Sequence, residues 1–247
     1  MPRFAVILPA AGRSSRFGGK EKKPYATLDG RAVWLRTAEM FVTRDEVMQT
    51  LLVLAPNDME DFRTKFMANI AFMNVKLIPG GEQRFESVAN ALKEVNADAD
   101  FVAVHDAVRP CTPPSLIDAL FAVVAQRGAV IPAIPVADTL KQVSQDRIIT
   151  GTTPRQNLWQ AQTPQVFRKD WLVDAYGRRA EFGAEITDDA QLVEAAGHQV
   201  HVIDGDPGNI KITTRSDIFL ADAILKSRPK PKPKGPAHPF ADEDMWR

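Results

Sequence analysis

The sequence predicts an α/β doubly wound domain: a mostly parallel sheet with helices on both faces. Short runs with few polar residues recur through the first half of the chain, as expected of strands buried on both sides. Between them, apolar residues fall three and four apart, the helical period. The first strand-like run leads directly into a loop with three glycines and five basic side chains, Gly12 to Lys23. In this architecture ligands bind beyond the carboxyl ends of the strands.

The elements follow in order. Strands are expected at Phe4–Leu8, Thr50–Leu54, Val75–Ile78, Phe101–Val104 and Ala129–Ile134. Helices are expected at Ala32–Val42 and Asp58–Ile70, at Arg84–Val95 with Phe85, Val88, Ala89, Leu92 and Val95 on one face, and at Pro114–Gln126 with Leu116, Leu120 and Val123. The pattern breaks at Ile134–Phe167, where alternating residues flank a polar turn near Asp146. Period-two patterning around a turn is a β-hairpin, and an insertion this long serves binding or association. It is read as a protruding β-hairpin arm at about 135–165. Helical patterns return at Lys169–Glu181 and Asp188–Ala196, followed by strand-like Gln199–Ile203 and Asn209–Thr213 and a helix from Ser216 to about Leu225. Beyond Ser227, Pro229, Pro231 and Pro233 alternate with lysines, a composition that favours polyproline II and cannot bury a core. The organisation is therefore one domain over 1–227 and a disordered Pro/Lys-rich tail over 228–247.

Composition narrows the function. The 247 residues carry 31 basic and 31 acidic side chains, so formal net charge is zero. That argues against a nucleic-acid coat or a membrane-surface protein, and any positive field is local. One cysteine, Cys111, allows no intrachain disulfide and suits a reducing, cytoplasmic setting. The opening apolar run is short and passes into charge, which fits a buried strand better than a signal segment. No apolar stretch approaches a membrane span.

Five signals could carry chemistry. Glycines of the first loop let backbone N–H groups approach a polyphosphate, while Arg and Lys neutralise it. The loop is neither a Walker A sequence nor a dinucleotide fingerprint, and a solvated basic loop is its plainer reading. Asp106 ends the run Val102–Val104 and so belongs at the carboxyl edge of the sheet. As a hard oxygen ligand it suits Mg²⁺ shared with substrate phosphates, although Asp also caps turns. His105 has no partners at metal spacing and is read as structural. Gly80-Gly81-Glu82 through Ser87 forms a tight strand-to-helix loop that could read a base edge. Arg155 and Thr163 offer a forked cation and a hydroxyl for a small phosphate. Lys211, inside the short strand-like Asn209–Thr213, is a candidate active-site cation or a solvent-facing strand lysine.

Together and in this order, the signals resemble the 2-C-methyl-D-erythritol 4-phosphate cytidylyltransferase family from roughly Phe4 to Leu225. The motifs are Pro9-Ala10-Ala11-Gly12 with Arg16, Gly80-Gly81-x-x-Arg84, His105-Asp106-Ala107-x-Arg109-Pro110, Asp138-Thr139-x-Lys141, Pro154-Arg155 through Gln162-Thr163-Pro164-Gln165, Thr187-Asp188-Asp189 and Asn209-Ile210-Lys211-Ile212-Thr213. The resemblance implies a nucleotidyltransferase-like, Rossmann-type catalytic domain that joins CTP to a polyol phosphate with Mg²⁺. Arg16 and Lys23 would be transition-state cations on CTP, and Asp106 the Mg²⁺ ligand. Ala10, Ala11, Gly12, Gly81, Glu82, Ser87 and Asp106 would bind the nucleotide. Arg155 and Lys211 would position the acceptor, helped by Arg109, Thr139, Thr163 and Thr187. The family forms homodimers, so Arg155 and Thr163 would act in trans from the arm. Where the family usually has Pro-Lys-Gln-Tyr, this chain has Lys22-Lys23-Pro24-Tyr25; aligning on Tyr25 selects Lys23, with Lys20 and Lys22 as alternatives. A transferase for another polyol phosphate, such as ribitol 5-phosphate, is the nearest rival. It is disfavoured by Pro9-Ala10-Ala11-Gly12 and by Thr139-Leu140-Lys141. A non-catalytic nucleotide-binding protein is disfavoured because all four cation and carboxylate positions are filled.

Overall fold

Strand β1 (Phe4–Pro9) lies at the centre of the sheet because its apolar residues are wanted on both faces. In the computed structural model, which describes residues 1–12, 17, 23–182 and 186–229, Phe4, Val6 and Leu8 enter one core layer and Ile7 the other. The chain continues through β2 (Thr27–Leu28), β3 (Arg31–Ala32), α1 (Val33–Val42), β4 (Val47–Leu54), α2 (Met59–Phe72), β5 (Val75–Pro79), α3 (Arg84–Leu92), β6 (Phe101–Val104), α4 (Pro114–Arg127) and β7 (Ala129–Pro135). Then come β8 (Leu140–Val143), β9 (Ile149–Thr153), β10 (Trp159–Ala161), β11 (Gln165–Arg168), α5 (Lys169–Gly177), α6 (Asp189–Ala195), β12 (His201–Asp204) and α7 (Ser216–Ser227).

The main sheet runs β10-β7-β11-β6-β1-β4-β5, with β12 also on β7. Pairs β1–β4, β1–β6, β4–β5 and β7–β12 are parallel; β11 pairs antiparallel with both β6 and β7. Helices α1, α2 and α4 cover one face through Trp34, Phe41, Phe62 and Leu120. Helices α3, α5 and α6 cover the other through Val88, Leu172 and Leu192. The chain steps outward from β1 to β4 to β5, then returns on the opposite side as β6. Strand order reverses between β1 and β6, and a crevice opens at such a reversal.

A third apolar cluster sits under that crevice: Phe17, Leu28, Val33, Val108, Cys111, Ile212 and Ala221. It joins the first loop, the segment after β6 and the segment before α7. Phe17 is buried there, with the Arg215 guanidinium 5.7 Å from its ring centre.

Two expectations need correction. The chain over Ile134–Phe167 is not all arm. Strands β8 and β9 form a separate two-stranded hairpin, closed at its base where Val136 N–H donates to Leu158 O at 2.9 Å, and the chain then rejoins the sheet as β10 and β11. The register passes from Ala161 opposite Ala133 to Val166 opposite Val130, so a bulge at Gln162–Pro164 splits what would be one strand. That break left each half too short to show alternation. Asn209–Thr213 is not a strand; Asn209 N–H donates to Asp206 O and Ile212 N–H to Val108 O, each at 2.9 Å, and side chains supply the segment's other contacts. The Pro/Lys-rich tail from Lys230 onward lies outside the described residues.

Gly128 ends α4 with φ +83°, donating its N–H to Val124 O at 2.8 Å. A Cβ there would stand 2.5 Å from the Trp171 ring. Gly128→Ala combines left-handed strain with overpacking, and is expected to cost about 1–3 kcal/mol in urea unfolding. An unchanged midpoint would show that the Trp171 ring yields freely.

Candidate active site

The crevice is a cavity of about 280 Å³ lined by Pro9–Gly12, Lys23, Pro24, Gly81–Arg84, Ser87, Asp106, Val108 and Lys211. Its floor is the carboxyl ends of β1 and β6. Gly80 N–H donates to Leu54 O at 2.7 Å, drawing the Gly80–Ser87 loop onto the sheet. A Cβ on Gly80 would lie 2.8 Å from both Ala11 Cβ and Ser87 Oγ, so glycine lets the two loops close on each other. Gln83 and Glu86 form a capping box at the start of α3. The buried Ser87 hydroxyl accepts from Gly81 N–H at 3.2 Å and donates to Gln83 O at 3.1 Å, which fixes the loop.

Asp106 is the electrostatic centre. It is 6% exposed. Lys211 Nζ lies 2.9 Å and Arg109 Nε 3.1 Å from its Oδ2; Arg84 Nε is 4.0 Å from Oδ1. Burial pushes the carboxyl pKa up, but Lys211, then Arg84 and Arg109, overcome that and hold it well below the ordinary carboxylate range. Asp106 is therefore ionised at every working pH. Among the described residues Oδ1 pairs with the Arg84 guanidinium, and no cluster of three or more His, Cys, Asp or Glu side chains could enclose a metal alone.

A buried polar network holds this arrangement. Thr163 Oγ1 accepts from Asp106 N–H at 3.1 Å and sits 3.0 Å from His105 Nδ1. Asn209 Nδ2 donates to Thr163 O at 2.9 Å, so its Oδ1 is the acceptor for the Thr112 hydroxyl, also at 2.9 Å. The Thr112 proton is thereby spent. His105 Nε2, 3.3 Å from Arg109 O and 3.4 Å from Thr112 Oγ1, must be the donor. Nδ1 then accepts from Thr163, which fixes a neutral imidazole protonated on Nε2. Burial lowers the His105 pKa to about 4, with Asp106 opposing and Arg109 reinforcing the shift. Arg109 Nη1 donates to Asn209 O at 2.7 Å, tying the Lys211 segment to the end of β6.

The expected site residues divide accordingly. Ala10, Ala11, Gly12, Lys23, Gly81, Glu82, Ser87, Asp106 and Lys211 meet at one cavity. Arg109 stands behind it, its guanidinium committed to Asp106 and Asn209. Thr163 is buried under its own chain's Asp106 rather than carried on the arm, so the expectation that it reaches another subunit is corrected. Thr187 is exposed and hydrogen-bonded to Gln191 Oε1 at 3.1 Å. Arg155 and Thr139 are exposed on the arm, where Arg155 Nη1 donates to Ala137 O; neither lines this cavity. Arg16, Lys20 and Lys22 lie outside the described residues. Sequence reasoning quoted Arg84 and Asp189 within motifs but gave them no role. Arg84 lines the cavity and is bound to the buried Asp189 at 2.6 Å.

Cations converging on an ionised carboxylate, beside loops that expose backbone at a strand-order reversal, suit the transfer of a phosphate-linked nucleoside. The class so defined is the nucleotidyltransferases. The sequence profile described as "IspD: 2-C-methyl-D-erythritol 4-phosphate cytidylyltransferase" matches residues 4–227. The chain belongs to this family. A 2-C-methyl-D-erythritol 4-phosphate cytidylyltransferase of Frankia casuarinae is 42% identical over 225 residues, covering 91% of this chain and 82% of that protein. One from Dechloromonas aromatica is 40% identical, covering 92% and 100%. The crystal structure of the Francisella tularensis enzyme superposes with a TM-score of 0.74 at 31% identity, covering 90% of this chain and all of that one.

Because unfolded histidine titrates near 6.5 and His105 near 4, the unfolded chain binds a proton that the folded chain refuses. Stability from this group is thus lost as pH falls from about 6.5 toward 4, by on the order of 3 kcal/mol. His105→Asn should flatten that part of the urea-unfolding pH profile. Parallel profiles for both proteins would exclude a buried neutral imidazole.

Proposed function

We infer that the cavity binds CTP and joins it to 2-C-methyl-D-erythritol 4-phosphate, giving 4-diphosphocytidyl-2-C-methyl-D-erythritol and pyrophosphate for isoprenoid biosynthesis. The observation that carries the reading is the 2.9 Å Lys211–Asp106 pair, formed beside Lys23 and both glycine loops. Segments far apart in sequence meet where a triphosphate needs them. Ala10, Ala11, Gly12, Gly81, Glu82 and Ser87 supply the surface for the nucleoside.

The chemistry asks for charge management rather than a base. The attacking phosphate oxygen is already anionic near neutral pH. The neutral, buried His105 is thus free to serve as scaffold. Lys23, with Arg16, neutralises the triphosphate and favours in-line approach. Lys211 is shared between Asp106 and the acceptor phosphate. Mg²⁺ fits the donor set, because Asp106 offers a hard oxygen and such an ion commonly takes one carboxylate plus substrate phosphates. Bound there, it would lower the charge on the triphosphate.

The arm supports a homodimer in which the partner completes the site. Val143, Ile148 and Ile149 are each more than half exposed on the hairpin, an apolar surface suited to a second copy. Arg155 and Thr139, away from their own chain's cavity, would serve the acceptor in the other subunit. Thr163 and Thr187 act within their own chain. Among the described residues no helix is long and apolar enough to cross a membrane, and with a single cysteine a cytoplasmic setting is the natural one. The catalytic domain would span 1–227, leaving 228–247 as a tail.

Pyrophosphate release, measured with each nucleotide crossed against methylerythritol phosphate and ribitol phosphate, tests the reading. Release only from CTP with methylerythritol phosphate is expected. Lys23→Ala should lower kcat on the order of a hundredfold with an unchanged thermal transition; near-normal turnover would move the role to Lys20 or Lys22. Arg155→Ala should raise KM for the polyol phosphate by about tenfold while leaving that for CTP nearly constant. Equal weakening of both substrates would contradict the assignment.

A further inference from the structure

One cavity-lining cation has its support outside the cavity. Arg84 is the first residue of α3, and its side chain touches two carboxylates. Nη2 donates to Asp189 Oδ2 at 2.6 Å, while Nε stands 4.0 Å from Asp106 Oδ1. Asp189, the first residue of α6, is fully buried. Its other oxygen accepts from the Tyr176 hydroxyl on α5, also at 2.6 Å. Burial, then the Asp189 charge, raises the Tyr176 pKa well above its usual value, so the phenol keeps its proton and can only donate to the carboxylate. Burial disfavours the Arg84 charge, but Asp189 overrides this and the guanidinium pKa rises.

The cost of this arrangement argues for a role beyond packing. A fully buried carboxylate is expensive unless paired, and an apolar residue of similar volume would stabilise the fold as well or better. Here both Asp189 oxygens are taken, one by a phenol and one by a guanidinium. A guanidinium has five N–H donors in a fixed fork. Among the described residues Asp189 is its single hydrogen-bond acceptor, so most of the fork remains for a ligand in the cavity. Without Asp189, the nearest anion to Arg84 is Asp106, which already holds Lys211 and Arg109.

We propose that Asp189 and Tyr176 are positioning residues for nucleotidyl transfer, holding Arg84 off Asp106 so that its guanidinium meets the phosphates of the bound nucleotide. The inference rests on the reading of this cavity as the CTP site. It makes Arg84 a further cation of that site and extends the machinery to α5 and α6, on the far side of the guanidinium from the substrate.

The test is a double-mutant cycle read by steady-state pyrophosphate release, with KM determined separately for CTP and for methylerythritol phosphate. Asp189→Asn should lower kcat/KM for CTP by about tenfold or more, and Tyr176→Phe by about threefold, with KM for the polyol phosphate moving less than about twofold. In the Arg84→Gln background, adding Asp189→Asn should have almost no further effect, because the carboxylate acts through the guanidinium alone. Tyr176→Phe keeps the Arg84–Asp189 pair and provides a folded protein even where Asp189→Asn is unstable. Multiplicative effects in the cycle, or variants that lower only the thermal transition, would overturn the proposal while wild-type turnover leaves the CTP site standing. A wild-type protein that releases no pyrophosphate from CTP would remove both.

Discussion

The structure is organised around the ionisation of Asp106. A carboxylate this deeply buried stays charged only because Lys211, Arg109 and Arg84 surround it. Each of those cations comes from a different part of the chain, so their convergence draws the end of β6, the start of α3 and the segment before α7 into one place. Replacing the carboxylate would leave several cations facing one another in a low-dielectric pocket, where repulsion is strong. The same charge organises the crevice at the carboxyl edge of the sheet.

Beneath that cluster lies a layer of buried hydrogen bonds that ties three segments of the chain together. Asn209 bonds Thr163 and Thr112, Thr163 bonds Asp106 N–H and His105, and Arg109 reaches back to Asn209 O. Fully satisfied buried networks make one geometry strongly preferred. Here the network compensates for the lack of regular structure in Asn209–Thr213. A strand would have fixed Lys211 by its ladder; side chains fix it instead.

Most of the sheet was legible in the sequence because β1, β4, β6 and β7 are largely buried on both faces and read as apolar runs, while the edge strand β5 keeps Val75 and Ile78 buried. The helices between them were legible because each covers one face only. The reading failed at β10 and β11, where the bulge at Gln162–Pro164 interrupts the pattern and Trp159–Ala161 is exposed. It also failed at Asn209–Thr213, whose alternation of Ile210 and Ile212 mimics a strand, while only Ile212 enters the third apolar cluster fully. In the site, motif order singled out candidate residues but not which of them face the cavity. Thr163 and Arg109 carry polar groups that suit a substrate, yet Thr163 bonds Asp106 and His105 and Arg109 bonds Asp106 and Asn209, contacts no spacing encodes. Arg84 was visible only as a motif letter, because its importance comes from Asp189, 105 residues away.

The position of Lys211 near the end of the folded region has a consequence for the protein's biosynthesis. Every strand of the main sheet has left the ribosome before this lysine does, and the apolar seat of its neighbour Ile212 waits on the finished cluster beneath the crevice. A chain ending before Lys211 would carry every strand of the main sheet and lack the cation opposite Asp106.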